Sequence, residues 1–123
     1  MKNVYIMSAN RSAIGGFGGT LKGFCPVDLG TLVAKEAISR SGYDPKEIDH
    51  AVFGNVIHTE PRDMYVSRVI ALQSGLSKDS AALTVNRLCG SGLQAIISAI
   101  QLLALEDASI TMAGGVEVMS NGA

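Results

Sequence analysis

Cysteine is scarce in this sequence: 2 residues in 123, in unlike contexts, cannot build a disulfide scaffold. A reducing compartment is therefore expected. Charge is sparse as well, at 17% against 47% hydrophobic residues, and that balance excludes a disordered or low-complexity chain. An excess of basic residues is missing: 10 Lys and Arg face 11 Asp and Glu, for a formal net charge of -1. A nucleic-acid binder that works through a strongly basic surface is thus excluded. There is no Cys-x-x-Cys, and His50 and His58 are not at helical spacing, so no metal site is expected. Residues 1–10 lack the long apolar stretch and small-residue cleavage site of a secretory signal. The cytoplasm is the expected location. No repeat, linker or second compositional regime is visible, and the length suits one domain, residues 1–123.

One long uncharged run is present, residues 88–105. Its length nearly admits a membrane-spanning helix. Ser91, Gln94, Ser98 and Gln101 recur along it at helical spacing, however, and form an uncharged polar stripe. A helix that is apolar nearly all round with such a stripe fits a protein interior better than lipid. A domain of this size seldom buries one helix so completely, which points to a larger assembly or a longer chain.

Apolar runs alternate with helical patterns. Residues 4–7, 51–57, 82–86 and 110–113 read as four strands. A first helix is expected from Pro26, which suits the first helical position, to Gly42, a stop signal, with Asp28 in its first turn. Leu29, Leu32, Val33, Ala37 and Ile38 give it an apolar face. Asp44 and Glu47 predict a short capped turn. Residues 64–74 read as a second helix closed by Gly75, and Leu93, Ile96, Ile97, Ile100 and Leu103 mark a long third one. The alternation predicts an α/β layer architecture. The chain stops just after a strand and its glycine turn, leaving that strand and the third helix uncovered, so a fragment is expected.

The sharpest local arrangement runs from Thr84 to Leu93, where a strand enters Cys89-Gly90-Ser91-Gly92 and then a long helix. Cys89 is thereby placed at or just before a helix amino end, where free N–H groups and the positive dipole end favour a thiolate. The same N–H groups suit an oxyanion formed when sulfur attacks a carbonyl. The other reading is an inert cysteine at a tight turn. A proton acceptor for Cys89 is not evident: His50 and His58 read as surface or loop histidines. Cys25, just before Pro26, reads as the cap of the first helix. Gly15-Gly16-Phe17-Gly18-Gly19 fails both nucleotide templates, since Leu21 stands where the dinucleotide pattern needs glycine and Phe24 where the P-loop needs lysine. It reads as a structural loop, and Arg11, Arg62 and Asp63 read as loop charges.

The segment from Val85 through Cys89 to Ala95 resembles the nucleophile segment of the thiolase family. Ser8 to Gly15 with Phe17-Gly18-Gly19 resembles that family's first loop. Ala113-Gly114-Gly115-Val116-Glu117 with Met119-Ser120 resembles its Gly-Gly-x-Glu-x-Met-Ser segment. Phe53 to Ile57 and Thr59 to Tyr65 are similar to bacterial β-ketothiolases. The resemblance implies an α/β fold, the N-terminal half-domain of the thiolase fold. It implies a mixed sheet with helices on its faces, the third helix buried between sheets, and a strand-to-helix turn that carries the nucleophile Cys89. It further implies an acyl-CoA acyltransferase that cleaves 3-ketoacyl-CoA with CoA, or condenses two acetyl-CoA, through an acyl-thioester on Cys89 whose own N–H joins the oxyanion hole. CoA and acyl-CoA are then substrates, no cofactor is bound, and a homo-oligomer is expected, with no nucleic acid and no membrane.

The family's later histidine, second cysteine and CoA-binding loop domain have no counterpart motif in this chain. No CoA contact is assigned, and the chain alone is expected to be inactive. The alternative is a noncatalytic module that associates through an exposed sheet edge and an apolar helix.

Overall fold

A computed structural model describes residues 3–122, leaving Met1, Lys2 and Ala123 of the expected domain outside the described residues. Helix α1, Pro26–Ser41, precedes strand β1, His50–Gly54; helix α2, Val66–Gln73, joins it to strand β2, Ala81–Val85. Helix α3, Ser91–Ala104, then leads to strand β3, Thr111–Gly115. The strands form one sheet in the order β2-β1-β3. His50 lies beside Ala81 and Thr111, and Gly54 beside Val85 and Gly115, so both pairs are parallel. A sheet of parallel strands needs a crossover between each pair, and α2 and α3 supply them. The mixed sheet expected from the family resemblance is thus wholly parallel among the described residues, while the α/β class stands.

The chain forms three layers. Ala51 and Phe53 of β1 face α1 and α2, packing with Val27, Ala34, Ile38, Val66, Ile70 and Met112. Val52 faces the other way, onto Ala95 and Ala99 of α3. This alternation is the period of a strand covered on both faces. The predicted starts and stops of α1 hold: Pro26 opens it, and Gly42 closes it in the left-handed region at φ 78°. Asp44 and Glu47 form the expected capping box around a single 3-10 turn. The expected face of α1 is met in part: Leu29 and Ile38 are buried and Val33 and Ala37 half-buried, but Leu32 is exposed, and Val27 and Ala34 join the core instead. Among the described residues, no helix is long and apolar enough to cross a membrane.

Three expectations change. Residues 4–7 form no strand and lie exposed, Ile6 at 82%. A strand needs a ladder partner, and the chain just after this segment is tied to a helix instead: Ser8 Oγ donates to Ala37 O and Asn10 Nδ2 to Val33 O of α1. The strand read as residues 51–57 ends at Gly54, because the N–H groups of Val56 and Ile57 go to the Glu117 carboxylate rather than to a neighbouring strand. The second helix begins as a 3-10 turn at Pro61–Tyr65 and becomes α-helical only at Val66. Asp63 holds that turn: its fully buried carboxylate accepts from Thr59 N, Thr59 Oγ1 and Glu60 N at 2.7, 3.0 and 3.1 Å. It is therefore no loop charge.

Ser67 braces the sheet under α2. Its buried hydroxyl accepts from Phe53 N at 2.9 Å and donates to Leu83 O at 2.7 Å, so it bridges the backbones of β1 and β2. Thr84 Oγ1 donates to the same oxygen at 3.0 Å. A buried hydroxyl satisfied in this way fixes the relative position of the two strands just before β2 leaves the sheet.

Candidate active site

In a parallel sheet the carboxyl ends of the strands share one edge, where crossover loops and helix amino ends collect. Here that edge gathers Asn55 after β1, residues 86–90 after β2, and Val116 and Glu117 after β3. The amino end of α3 sits on it, with Gly90 as its N-cap. Cys89 is the residue before that cap, and its thiol is free and exposed. The predicted strand, cysteine and helix order is therefore present as read.

Two glycines let α3 settle this close. A Cβ on Gly54 would lie 2.8 Å from both the backbone carbon and the Cβ of Ser91. Gly115 lies alongside, where an added Cβ would meet Gly54 O and Gly92 Cα at 3.5 Å. Gly114 lies beneath Phe53, 2.6 Å from its ring by the same construction, so the glycine pair read as the turn after residues 110–113 is part of β3. Small residues continue the contact: Ser91, Ala95 and Ala99 are the buried face of α3. Leu93, Ile96, Ile97 and Ile100 look outward and are exposed, Leu93 at 66%. The expected burial of α3 on both sides is thus met on its sheet face only.

The turn before Cys89 is densely held. Leu88 adopts φ 49°, a left-handed conformation that strains a leucine by about 1–3 kcal/mol. Asn86 Oδ1 accepts from Leu88 N at 3.0 Å. Gly90 N donates to Arg87 O and Ser91 N to Leu88 O, each at 3.0 Å. Ser91 Oγ accepts from Arg87 N at 2.8 Å and donates to Leu88 O at 2.6 Å. The N–H groups on either side of Cys89 are occupied, while that of Cys89 has no partner among the described residues. An exposed thiol thus sits beside its own free backbone donor at a helix amino end, an arrangement able to hold negative charge on an oxygen bonded to that sulfur's acyl carbon.

Arg87 Nη1 donates to Gln94 Oε1, and Gln94 Nε2 to Ser98 Oγ at 3.1 Å. The polar stripe read along this helix is therefore partly an internal chain that ties the loop to α3. Glu117 closes the far side of the edge, accepting from Val56 N at 3.1 Å and Ile57 N at 2.7 Å. Asn55, fully buried, donates to Val116 O at 2.9 Å. The sequence pattern carries little signal for the brackets made by Ser91, Asn55 and Glu117, because their partners are set by the fold.

The other candidate residues fall elsewhere. His50 opens β1, at the opposite end of the strand from Cys89's edge, about 13 Å of extended chain away. His58 is exposed and makes no hydrogen bond to Cys89. Cys25 caps α1 as expected; burial first, and Asp28 next, push its thiol above the ordinary value. Arg62 pairs with Glu60 at 2.8 Å and its Nη2 donates to Cys25 Sγ at 3.4 Å. The glycine loop is structural: Gly18 N donates to Ser120 Oγ at 2.8 Å. Arg11 Nη1 donates to Ser12 O at 2.8 Å in an exposed loop.

The sequence profile of the family described as "Thiolase, N-terminal domain" matches residues 4–123. A beta-ketothiolase of Cupriavidus necator is 52% identical over 119 residues, which is 97% of this chain and 30% of that protein. Among solved structures, human mitochondrial 3-ketoacyl-CoA thiolase in complex with CoA superposes with a TM-score of 0.93 at 37% identity, over 95% of this chain and 30% of that one. A thiolase from Ascaris suum in complex with coenzyme A gives 0.94 at 38% identity, over 99% of this chain and 32% of that one. The chain spans about a third of the length of these relatives. With the motif order, the parallel sheet and the cysteine turn all in agreement, the chain belongs to the thiolase family and corresponds to its N-terminal domain.

Proposed function

We propose that this chain supplies the acyl-accepting half of an acyl-CoA acyltransferase, with Cys89 as the nucleophile. The supporting observation is the exposed Cys89 thiol beside its own unpartnered N–H, at the amino end of α3. The Cys89 sulfur attacks the ketone carbonyl of a 3-ketoacyl-CoA and gives a tetrahedral oxyanion. The bond between the α carbon and that carbonyl carbon breaks. The acyl group stays on sulfur as a thioester, and the departing enolate of acetyl-CoA takes up a proton. The thiol of a second CoA then attacks the thioester and releases acyl-CoA, restoring Cys89. Run backward, the same steps condense two acetyl-CoA. CoA and its thioesters are the substrates in this reading, and no bound cofactor takes part. Turnover also needs a group to take the thiol proton and one to protonate the enolate, and neither His50 nor His58 is hydrogen-bonded to Cys89. The chain alone is therefore expected to accept an acyl group without turning over.

Mass spectrometry after incubation with acetyl-CoA tests this. One arm holds the chain alone and the other adds the later segment of the Cupriavidus necator relative. The expected result is one acetyl group on the Cys89 peptide, none on Cys25, and removal of that group by free CoA. No adduct in either arm, or an adduct on Cys25 alone, overturns the reading.

The outward row of Leu93, Ile96, Ile97 and Ile100 favours a second, compatible reading, in which the chain self-associates. Sedimentation velocity is expected to show a dimer or larger species. A sharp monomer at every concentration would sink it.

A further inference from the structure

We propose that Ser91 is a positioning residue that aims the N–H of Cys89, an inference that rests on the nucleophile reading above. The Leu88 carbonyl and the Cys89 N–H belong to the same peptide unit. That unit is planar and trans, so its oxygen and its N–H point in opposite directions. Whatever fixes the Leu88 oxygen therefore fixes the direction of the Cys89 donor.

Ser91 fixes it twice. Its backbone N–H donates to Leu88 O at 3.0 Å, and its hydroxyl donates to the same oxygen at 2.6 Å. The hydroxyl also accepts from Arg87 N at 2.8 Å. Both capacities of one buried oxygen thus clamp the two ends of the turn. The clamp is needed because Leu88, at φ 49°, has no intrinsic preference for that conformation. Ser91 is itself seated hard against Gly54, so it is a rigid anchor for the peptide above it. Without the hydroxyl, the Leu88–Cys89 peptide is freer to rotate, and the Cys89 N–H leaves the direction in which an oxyanion on the acyl carbon would find it.

The experiment compares two reactions of the same thiol. Acetyl transfer from acetyl-CoA passes through an oxyanion; alkylation by iodoacetamide is a direct displacement and does not. Under the conditions in which the wild-type chain takes up acetyl, Ser91→Ala is expected to slow acetylation about 10- to 100-fold. Alkylation of Cys89 is expected to stay within about threefold. Adding Leu88→Gly, which adopts the left-handed turn without strain, is expected to recover part of the acetylation rate.

Equal acetylation in wild type and Ser91→Ala overturns the proposal. So does an equal fall in both reactions, which would mark a general change in access to the thiol. If Ser91→Ala does not fold by circular dichroism, the Leu88→Gly/Ser91→Ala pair carries the comparison. Failure of the wild-type chain to acetylate both alone and with the later segment added instead defeats the nucleophile reading itself, so the two failures are told apart.

Discussion

Ile70→Ala is expected to lower the unfolding free energy by about 2–5 kcal/mol, the range for removing a large aliphatic side chain from a closed core. Ile70 is fully buried where α2 meets α1 and the sheet. Its Cδ1 lies only 2.4 Å from where a Cβ on Gly30 of α1 would stand, with Cγ1 at 3.3 Å. Gly30 is therefore the recess that Ile70 fills. That geometry makes a sharper test than the single variant. Gly30→Ala gains about 1 kcal/mol in helix propensity but forces the isoleucine end aside. In the Ile70→Ala background the new methyl enters vacated space instead. Urea unfolding followed by circular dichroism is expected to show the double variant more stable than the two single effects predict, by about 0.5–3 kcal/mol. Additivity would mean that the two residues do not share this space.

Local chemistry was legible in the sequence, and long-range pairing was not. Pro26 and Gly42 bound α1 because each acts on its own backbone. The capping box of Asp44 and Glu47 and the junction at Cys89 are likewise contained within a few residues. Residues 4–7 show the limit: their composition suits a strand, but a strand exists only where another lies beside it. Gly114 and Gly115 show the converse, since glycine in a strand is a sign of close approach, here by Phe53 and α3, as much as of a break. In α3 the conspicuous leucines and isoleucines marked the helix but not the face that packs, because close contact with a sheet selects Ala95 and Ala99. The strained turn at Leu88 had no signal at all, since leucine is not a residue that seeks positive φ. Its restraint comes from a hydroxyl in the next helix, and the Glu117 carboxylate that ends β1 lies 61 residues from Val56.

Gly54→Ala is expected to damage both the fold and the site, whereas Gly115→Ala, beside it, is expected to be tolerated. The contrast rests on what each new methyl would meet. At Gly54 it would lie 2.8 Å from the backbone carbon and Cβ of Ser91 and 3.0 Å from the Ser91 oxygen, none of which is a flexible end that can swing away. The first turn of α3 must then lift off the sheet. At Gly115 the nearest atoms, Gly54 O and Gly92 Cα, are 3.5 Å away, an ordinary contact distance. The expected cost at Gly54 is about 1–3 kcal/mol, as for a methyl forced into a packed interior. The chemical effect is expected to be larger still. Lifting Ser91 moves the anchor of the Leu88 peptide and with it the Cys89 N–H, and a misplacement near 1 Å costs about 100-fold in rate. Gly54→Ala is therefore expected to lower acetylation of Cys89 about 100-fold, while Gly115→Ala keeps both the urea midpoint and the acetylation rate near wild type. Equal behaviour of the two variants would sever the seat under α3 from the chemistry at Cys89. A loss of stability at Gly54 with unchanged acetylation would show that the turn holds its own shape without the sheet beneath it.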